Sequence, residues 1–561
     1  VIREALDLVI EHLGMYRLYD GFALSEKYFD VLGSTLLLFG GIVLLLAILM
    51  GIFLYFTRQT INVMSRLIEY DLRKVIFNHY KKLDLGFFKR NNTGDLMSRI
   101  TEDVTKVRMY LGPAVLYGAN LISTVILVIY AMLSVSPLLT FYCLAPLPFL
   151  AISIYYVSNL IHQRAEFIQI QLAKLNSIAQ EVYSGIRVVK SYVREKPQEA
   201  YFAQESEVYK EKSMDLAKIE AWFFPLMVFM IGASTILVVY VGGLLVVDGR
   251  VSAGNIAEFV IYVNMLTWPV TAIGWIASIA QQAAASQKRI NEFLETRPAV
   301  TNEVPAADTP LAGAVTFRDV SFTYPDTGIQ ALKHLDFDLK AGQKLAIIGR
   351  TGSGKTTIAD LLLRMYDVTE GEIRIDGRPI RSIDLNNLRR RIGYVPQDVF
   401  LFSDTIANNI AFGRLDDPER GEVEQFARHA AVHEDIKGLS HGYDTLVGER
   451  GVTLSGGQKQ RVSIARALIK KPDIIILDDC LSAVDTNTEQ QILGYFNTAL
   501  ADKTALIITH RIYAQLRFDR IIVLEDGAVA ESGTHEELLA NGGYYAEIFQ
   551  RQLAEEEREG E

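Results

Sequence analysis

Five stretches of the chain, each at least 21 residues long, carry almost no charge, and they constrain the fold more than any other feature. An α-helix rises about 1.5 Å per residue, so each stretch can cross a hydrocarbon layer roughly 30 Å thick. Buried helices of soluble proteins rarely stay uncharged beyond about 18 residues. The chain, 50% hydrophobic in composition, therefore predicts an all-α transmembrane helical domain. The five predicted spans are 32–56, 114–134, 138–161, 222–247 and 256–280.

The distribution of positive charge predicts the orientation of this domain. Segment 57–113 contains 11 Lys or Arg residues and segment 162–221 contains nine, whereas loops 135–137 and 248–255 contain only Arg250. Positive residues accumulate on the cytoplasmic side of a membrane. We therefore expect both long segments in the cytoplasm, where their helical periodicity predicts amphipathic extensions of the spans.

A glycine-rich segment, Gly349–Thr356, predicts a phosphate-binding loop. It follows the apolar run 344–349, typical of a buried strand, and precedes a run typical of a helix, as this motif requires. Glycines let backbone N–H groups turn towards phosphates, and the helix N-terminus adds partial positive charge. Lys355 is expected to bind the β- and γ-phosphates, and Thr356 to bind Mg²⁺. The predicted nucleotide-binding residues here are Gly349, Arg350, Thr351, Gly352, Ser353, Gly354, Lys355, Thr356 and Thr357.

A second apolar run, 474–477, ends in the two carboxylates Asp478 and Asp479. This pattern is typical of a buried parallel strand whose carboxyl end meets the nucleotide. Asp478 is predicted to hold the hydrated metal ion, and Asp479 to act as the general base that orients the attacking water. The two motifs together predict an α/β P-loop ATPase domain after the spans.

The order of further residues resembles that of ATP-binding cassette (ABC) proteins. Tyr324 precedes the phosphate-binding loop, Gln397 follows it, and Leu454–Gln458 reads Leu-Ser-Gly-Gly-Gln before the two carboxylates, with His510 after them. The cassette pattern covers roughly 313–550 and follows the membrane spans. The chain is therefore similar to an ABC exporter half-transporter of the multidrug or lipid-exporting type.

This resemblance implies ATP and Mg²⁺ as cofactors and assigns a role to each motif. Tyr324 would stack on adenine, Gln397 would contact the metal and the attacking water, and His510 would contact the γ-phosphate. Ser455, Gly456, Gly457 and Gln458 would cap the γ-phosphate of a nucleotide held by the opposite subunit, and Asp485 would lie at the dimer seam. The implied catalytic residues are Asp479, His510 and Gln397, and the metal-binding residues are Thr356, Gln397 and Asp478.

One position departs from the family pattern, because most members have glutamate where this chain has Asp479. A general base must lie within about 2.6–3.2 Å of its proton donor, or act through one water. A displacement of about 1.5 Å slows such a step, so slow hydrolysis is predicted. A weakened base is also found in one half of heterodimeric exporters. Ser455, Gln397 and His510 are intact, which favours two identical chains while the heterodimer stays open.

The predicted domain organisation is a transmembrane domain with cytoplasmic helical extensions at 1–295, a linker at 296–312, a nucleotide-binding domain at 313–552 and an acidic tail at 553–561. Exporters of this family usually have six spans per half, so the first of six is expected to be missing before Val1. Segment 3–30 would then lie outside the cytoplasm. We expect an integral protein of the inner (plasma) membrane with the cassette in the cytoplasm.

Two cytoplasmic segments, 92–103 and 179–190, resemble the loops that transmit cassette motion in the family, and 445–451 resembles the cassette loop that receives them. Cys143 and Cys480 fall in different predicted domains, so no disulfide is expected and a reducing compartment is predicted. The net charge of −10 gives no indication of nucleic-acid binding.

The spans indicate only the class of substrate. Glu258 is the single charge within them, and an ionisable group in a membrane is a functional candidate or an interfacial residue. Pro269 is expected to kink the last span, which lines the central cavity in this family. The largely uncharged interior of the spans predicts a lipid-like, hydrophobic or amphipathic substrate. Membrane lipid is expected around the protein.

The motifs together predict that two cassettes sandwich two ATP molecules and that their closure turns the spans from inward-facing to outward-facing. A soluble cassette ATPase is excluded by the spans. A catalytically weakened half of a heterodimer, and an ATP-gated channel or regulatory subunit, remain alternatives.

Overall fold

The computed structural model describes residues 1–18, 24–302, 304–305, 308–448, 454–482, 484–500, 502–513 and 516–559. The chain divides into two compact units, one formed by Val1–Asn78 and Leu96–Glu295 and the other by His79–Asp95 and Thr296–Glu561. Segment His79–Asp95 therefore belongs with the C-terminal part of the chain, although it lies between two apolar stretches in the sequence.

The described residues of the N-terminal half form helices joined by short turns. Two short π-helical segments, Arg99–Asp103 and Tyr110–Ala114, flank α5. The helices are α1 (Ile2–Leu18), α2 (Leu24–Tyr80), α3 (Leu85–Arg90), α4 (Thr93–Ser98), α5 (Val104–Met109), α6 (Val115–Val135), α7 (Pro137–Leu144), α8 (Pro146–Ser184), α9 (Ile186–Ser191), α10 (Glu195–Val247) and α11 (Ala253–Leu294).

In the described part of the chain, four helical stretches are long and apolar enough to cross a membrane: Phe29–Tyr80, Thr93–Val135, Glu195–Val247 and Ala253–Leu294. They contain four of the five predicted spans. The remaining one, 138–161, is divided between α7 and α8, and Pro146 stands in the first turn of α8. Proline has no N–H with which to continue a preceding helix, which explains the division.

Polar contacts join the first and last helices of the helical unit. The Asp7 carboxylate on α1 accepts hydrogen bonds from the Gly254 N–H, at 2.8 Å, and from Ser252 at the start of α11. Glu258 lies 3.4 Å from Arg3 and accepts a 2.7 Å hydrogen bond from the Tyr262 hydroxyl. The single charge of the predicted spans is therefore paired within this unit.

The second unit contains two β-sheets. A four-stranded antiparallel sheet has the order β2-β1-β4-β5, and a six-stranded, mainly parallel sheet has the order β10-β9-β3-β8-β7-β6. The central strands of the larger sheet are buried along their length, as their apolar sequences predict. The strands are β1 (Val315–Thr323), β2 (Gln330–Leu339), β3 (Lys344–Gly349), β4 (Glu370–Ile375), β5 (Arg378–Pro379), β6 (Ile392–Val395), β7 (Ile474–Asp478), β8 (Thr504–Thr509), β9 (Arg520–Glu525) and β10 (Ala528–Gly533).

Helices cover this larger sheet and complete the hydrophobic cores of the unit. The helix α20 reaches Glu559, so residues 553–559 of the predicted acidic tail continue this helix, in keeping with its many Ala, Glu, Gln and Arg residues. The helices of this part are α12 (Lys355–Leu362), α13 (Leu385–Arg391), α14 (Ile406–Ala411), α15 (Arg420–His429), α16 (His433–Lys437), α17 (Gly456–Leu468), α18 (Thr486–Ala499), α19 (His535–Asn541) and α20 (Tyr544–Glu559).

Candidate active site

The order of strands in the larger sheet assembles the site. β3, β8 and β7 are consecutive parallel neighbours, and they end at Gly349, Thr509 and Asp478. Parallel strands present their carboxyl ends at one edge, so the phosphate-binding loop, His510 and the carboxylate pair meet there. They line a cavity of 1140 Å³.

The glycine-rich loop turns from β3 into α12 by means of two glycines. A Cβ on Gly349 would overlap the carbonyl oxygen of Leu524, so the close approach of the two strands excludes a side chain. Gly354 has a φ of 97° at the position before α12, a conformation that favours glycine. Arg350, Thr351 and Gly352 between them line the cavity, and backbone N–H groups of such loops can bind an anion.

Lys355 lies in the first turn of α12 with its ammonium group folded onto the loop. Its Nζ donates hydrogen bonds of 2.8 Å and 2.7 Å to the carbonyl oxygens of Gly349 and Arg350. Burial lowers the pKa of Lys355, whereas the charges of Asp478 and Asp479 raise it. A polyphosphate in the cavity would supply further negative charge to this partly buried cation.

The other predicted residues of the loop differ in environment. The Arg350 guanidinium lies 5.2 Å from the centre of the Tyr544 ring, and Thr351 is exposed at the turn. The Ser353 hydroxyl is buried without a hydrogen-bond partner among the described residues. The Thr357 hydroxyl lies 2.9 Å from the Tyr324 hydroxyl.

Asp478 and Thr356 form an oxygen site suited to Mg²⁺. Asp478 is 1% exposed, and its Oδ2 atom has no hydrogen-bond partner among the described residues. Burial raises the pKa of Asp478 to about 6, while a hydrogen bond from Thr356 lowers it and the charge of Asp479 raises it. Mg²⁺ prefers such oxygen ligands and usually keeps several waters besides one or two protein groups. The described residues contain no cluster of three His, Cys, Asp or Glu side chains suited to a metal. The Asp478–Thr356 pair supplies oxygen ligands of the kind that Mg²⁺ accepts beside nucleotide phosphates.

The raised pKa of Asp478 predicts that Asp478→Asn stabilises the protein in the absence of nucleotide and metal. The folded chain holds this proton more tightly than the unfolded chain, so stability is lost as pH rises from about 4 through 6. The cost at pH 7.5 is on the order of 3 kcal/mol, and asparagine removes it. We expect the unfolding midpoint at pH 7.5 to rise by roughly 5 °C in Asp478→Asn.

The midpoints of the Asp478→Asn variant and the unmodified protein should converge near pH 4, and differential scanning fluorimetry across this range measures both. Asp417→Asn is the matched control because Asp417 is exposed. Equal midpoints at pH 7.5 in Asp478→Asn would show that the ionised carboxylate carries no such cost.

Asp479 lies between two other predicted catalytic residues. Its carboxylate is 2.9 Å from His510 Nδ1 and accepts a long hydrogen bond, 3.5 Å, from Gln397 Nε2. Asp479 has a φ of 47°, and its N–H donates to the Ile508 carbonyl oxygen on β8. This left-handed conformation costs a residue other than glycine on the order of 1 kcal/mol. The Asp479 side chain lines the cavity. The structure thus brings the predicted base, histidine and glutamine together.

Tyr324 lines the cavity and contacts two aromatic rings. Its ring is edge-on to Phe322, at 4.9 Å, and to Tyr366, at 5.5 Å. The ammonium group of Lys89 on α3 lies 5.1 Å from the centre of the Tyr324 ring. Burial raises the pKa of the Tyr324 hydroxyl, so it is neutral and its ring can stack on a base.

The Leu-Ser-Gly-Gly-Gln segment, Leu454–Gln458, is not among the residues that line this cavity. Ser455 caps α17, because its hydroxyl accepts a hydrogen bond from the Gln458 N–H and the Gln458 side chain accepts one from the Ser455 N–H. Ser455 and Gly456 are exposed. The N-terminus of this 13-residue helix is therefore exposed and does not line the cavity, and Gly457 lies in its first turn.

Asp485 is likewise exposed and caps the start of α18, since its carboxylate accepts a hydrogen bond from the Thr488 N–H at 3.0 Å. This backbone hydrogen bond lowers the pKa of Asp485. Of the predicted receiving loop 445–451, residues 449–451 lie outside the described residues. The dimer-seam roles of these segments thus stay predictions.

Several cavity residues have no counterpart in the sequence predictions, among them Lys89 on α3 and Tyr544 on α20. Neither lies in a recognised motif, and each reaches the site from a distant part of the chain. Only a pairing signal between distant positions could have indicated them.

Comparisons with known proteins cover both units. A family model described as "ABC transporter transmembrane region" matches residues 9–270, and one described as "ABC transporter" matches 332–482. The chain is 39% identical to a probable multidrug resistance ABC transporter ATP-binding/permease protein, YheI, of Bacillus subtilis, over 92% of this chain and 88% of that protein.

Two further comparisons extend this result. An ATP-dependent lipid A-core flippase of Pseudomonas fluorescens is 35% identical, over 90% of this chain and 84% of that protein. Among solved structures, a bacterial Atm1-family ABC exporter with ATP bound matches with a TM-score of 0.77 and 28% identity, over 98% of this chain and 95% of that chain.

Proposed function

The chain belongs to the ABC transporter family, and from this premise we propose that it is one half of a dimeric exporter of lipid-like or amphipathic compounds. It is an integral membrane protein and an ATP hydrolase coupled to transport. The finer proposal places it in the inner membrane with its cassette in the cytoplasm. The exposed N-terminus of α17, which does not line the cavity of its own chain, is the observation that carries the dimer.

In the dimer, a second copy of the chain supplies the N-terminus of α17, which does not line the cavity of its own subunit. The N-terminus of α17 is favourable for a phosphate because of its backbone N–H groups and its partial positive charge. Ser455 is exposed on its own subunit and would meet the γ-phosphate bound by Lys355 of the other. Two ATP molecules are then clamped between two cassettes, and ATP favours this closed state because it binds there more tightly.

The residues at the strand ends divide the work on the nucleotide. Tyr324 binds the base, Lys355 and the loop bind the phosphates, and Asp478 with Thr356 and Gln397 holds the metal. Mg²⁺, when bound, neutralises charge on the phosphates. Asp479 orients the attacking water and accepts its proton, and His510, which is 53% exposed beside it, contacts the γ-phosphate. Hydrolysis then releases the clamp and resets the membrane helices.

The substrate class follows from the membrane helices. Glu258 is paired with Arg3, so its carboxylate already has a charged partner within the helical unit. Apolar side chains dominate the four membrane-length stretches. The relatives named for multidrug resistance and for lipid A-core transport are themselves consistent with apolar or amphipathic compounds.

Purification and reconstitution of this chain alone test the proposal. We expect a mass in detergent equal to two chains, ATPase activity with Mg²⁺, and ATP-dependent accumulation or flipping of a fluorescent lipid analogue in vesicles. An inactive monomer would favour the heterodimer, which Asp479 alone supports. A flux that only dissipates a gradient would instead identify a channel.

The shortened base predicts that Asp479→Glu increases the rate of ATP hydrolysis. The added methylene carries the carboxylate about 1.5 Å further towards the attacking water, and geometry of this size changes rates considerably. We expect kcat to rise severalfold with KM for ATP little changed. Steady-state phosphate release measures both, and Asp417→Glu at an exposed position serves as control. A slower Asp479→Glu enzyme would show that this site is built for the shorter side chain.

A further inference from the structure

The C-terminal helix α20 contacts two parts of the nucleotide site. At its first turn, Tyr544 lies against Arg350 of the phosphate-binding loop, and Tyr544 and Ile548 line the cavity. Two turns later, Gln552 reaches the chain just after His510. The family motifs assign no role to this helix in the chemistry.

Gln552 makes two hydrogen bonds with the backbone of one residue, Ile512. Its Oε1 atom accepts a 2.9 Å hydrogen bond from the Ile512 N–H, and its Nε2 atom donates a 3.0 Å hydrogen bond to the Ile512 carbonyl oxygen. A primary amide that engages both groups of one residue imitates the pairing of a neighbouring strand. It restrains both the position and the direction of the backbone at Ile512.

Ile512 is also held by packing. Its side chain is 7% exposed and belongs to the core cluster that contains Tyr545 of α20 and Leu538 of α19. Tyr545 in turn shares a 2.6 Å hydrogen bond with His535. The backbone of Ile512 is therefore bonded to α20, and its side chain belongs to a core that the C-terminal helices share with strands β3 and β9.

The restraint acts two residues from the catalytic histidine. His510 follows the last residue of β8, and its Nδ1 atom lies 2.9 Å from the Asp479 carboxylate. In the same turn, the Thr509 hydroxyl donates a hydrogen bond to the Arg511 carbonyl oxygen and accepts one from the Arg511 N–H. The turn that carries His510 is thus fixed at one end by the sheet and at the other by Gln552.

We infer that Gln552 is a positioning residue for ATP hydrolysis, which holds the turn after β8 so that His510 faces Asp479 and the γ-phosphate. This inference rests on the proposed function. It makes α20 a part of the catalytic machinery, acting through the backbone of Ile512. Misplacement of a catalytic group by about 1 Å can cost up to roughly a hundredfold in rate.

The test compares Gln552→Ala with Gln550→Ala, which makes the same chemical change at an exposed position of the same helix. We expect Gln552→Ala to lower kcat by roughly tenfold while the affinity for ATP stays within about twofold. Gln552→Glu keeps the acceptor for the Ile512 N–H and loses the donor, so its kcat should fall between the two. Gln550→Ala should match the unmodified protein.

Hydrogen exchange of the nucleotide-free protein provides a readout independent of activity. The peptide that contains Ile512 should exchange faster in Gln552→Ala than in Gln550→Ala, with the β3 and β7 peptides unchanged. A kcat within twofold of the unmodified value, or a parallel loss of ATP affinity and unfolding midpoint, would overturn the inference. If Gln552→Ala does not fold, Gln552→Glu decides by the same criteria.

The two proposals fail in different ways. An unmodified protein without ATP-dependent transport contradicts the proposed function, whatever Gln552 does. Unchanged exchange at Ile512 in Gln552→Ala contradicts the restraint alone, even in a fully active exporter.

Discussion

Asp479→Asn is expected to reduce ATP turnover by roughly a hundredfold or more while ATP binding is retained. General bases contribute about 10²- to 10⁴-fold to rates, and an amide cannot accept the proton. Asparagine has nearly the same shape and keeps an oxygen that accepts from Gln397 Nε2 or His510 Nδ1. The cavity should therefore keep its geometry, and the loss should appear in kcat.

Phosphate release and equilibrium binding of a fluorescent ATP analogue measure the two effects of Asp479→Asn separately. Asp502→Asn, at an exposed position, is the control for the substitution itself. Near-normal turnover in Asp479→Asn would overturn the assignment of the base. Loss of ATP binding would show instead that the Asp479 carboxylate stabilises the empty site.

Lys355→Ala is expected to lower both ATP affinity and turnover, with the rate reduced by roughly a hundredfold or more. Charged donors aimed at developing negative charge are worth about 10²- to 10³-fold in rate. The ammonium group now bonds the carbonyl oxygens of Gly349 and Arg350, so alanine also leaves the loop without its internal cross-link. Binding and chemistry should therefore fail together, in contrast to Asp479→Asn.

The same two assays distinguish the Lys355 and Asp479 variants. Lys340→Ala removes an exposed lysine from the turn after β2 and should leave both affinity and rate unchanged. An unaffected rate in Lys355→Ala would contradict the role of the phosphate-binding loop. Retained ATP affinity with a reduced rate would show that Lys355 stabilises the transition state and contributes little to the binding of ATP.

Local patterns were enough to predict the elements that carry the phosphate chemistry. The runs before Gly349 and Asp478 are apolar, and such runs become buried parallel strands whose carboxyl ends meet. The four membrane-length helical stretches follow in the same way from uncharged sequence. Span 138–161 was less predictable, because Pro146 divides the helix there.

Contacts between distant parts of the chain could not be predicted from such patterns. Lys89 lies between apolar stretches in the sequence, yet it is 5.1 Å from the Tyr324 ring. Gln552 was expected at the end of the domain next to an acidic tail, yet it binds the backbone of Ile512. Their side chains show no periodicity or motif, since a single polar contact places no constraint on neighbouring residues.

The amino-acid sequence by itself determined that the chain crosses a membrane, binds a nucleoside triphosphate and belongs with the ABC proteins, because hydropathy and the phosphate-binding motif can each be recognised within a short stretch of sequence. Only the tertiary structure decided that His510 and Gln397 meet Asp479, that Ser455 does not line the cavity of its own chain, and that Gln552 of α20 bonds the backbone of Ile512. Strand order and helix packing place these side chains, and both depend on contacts across the whole unit.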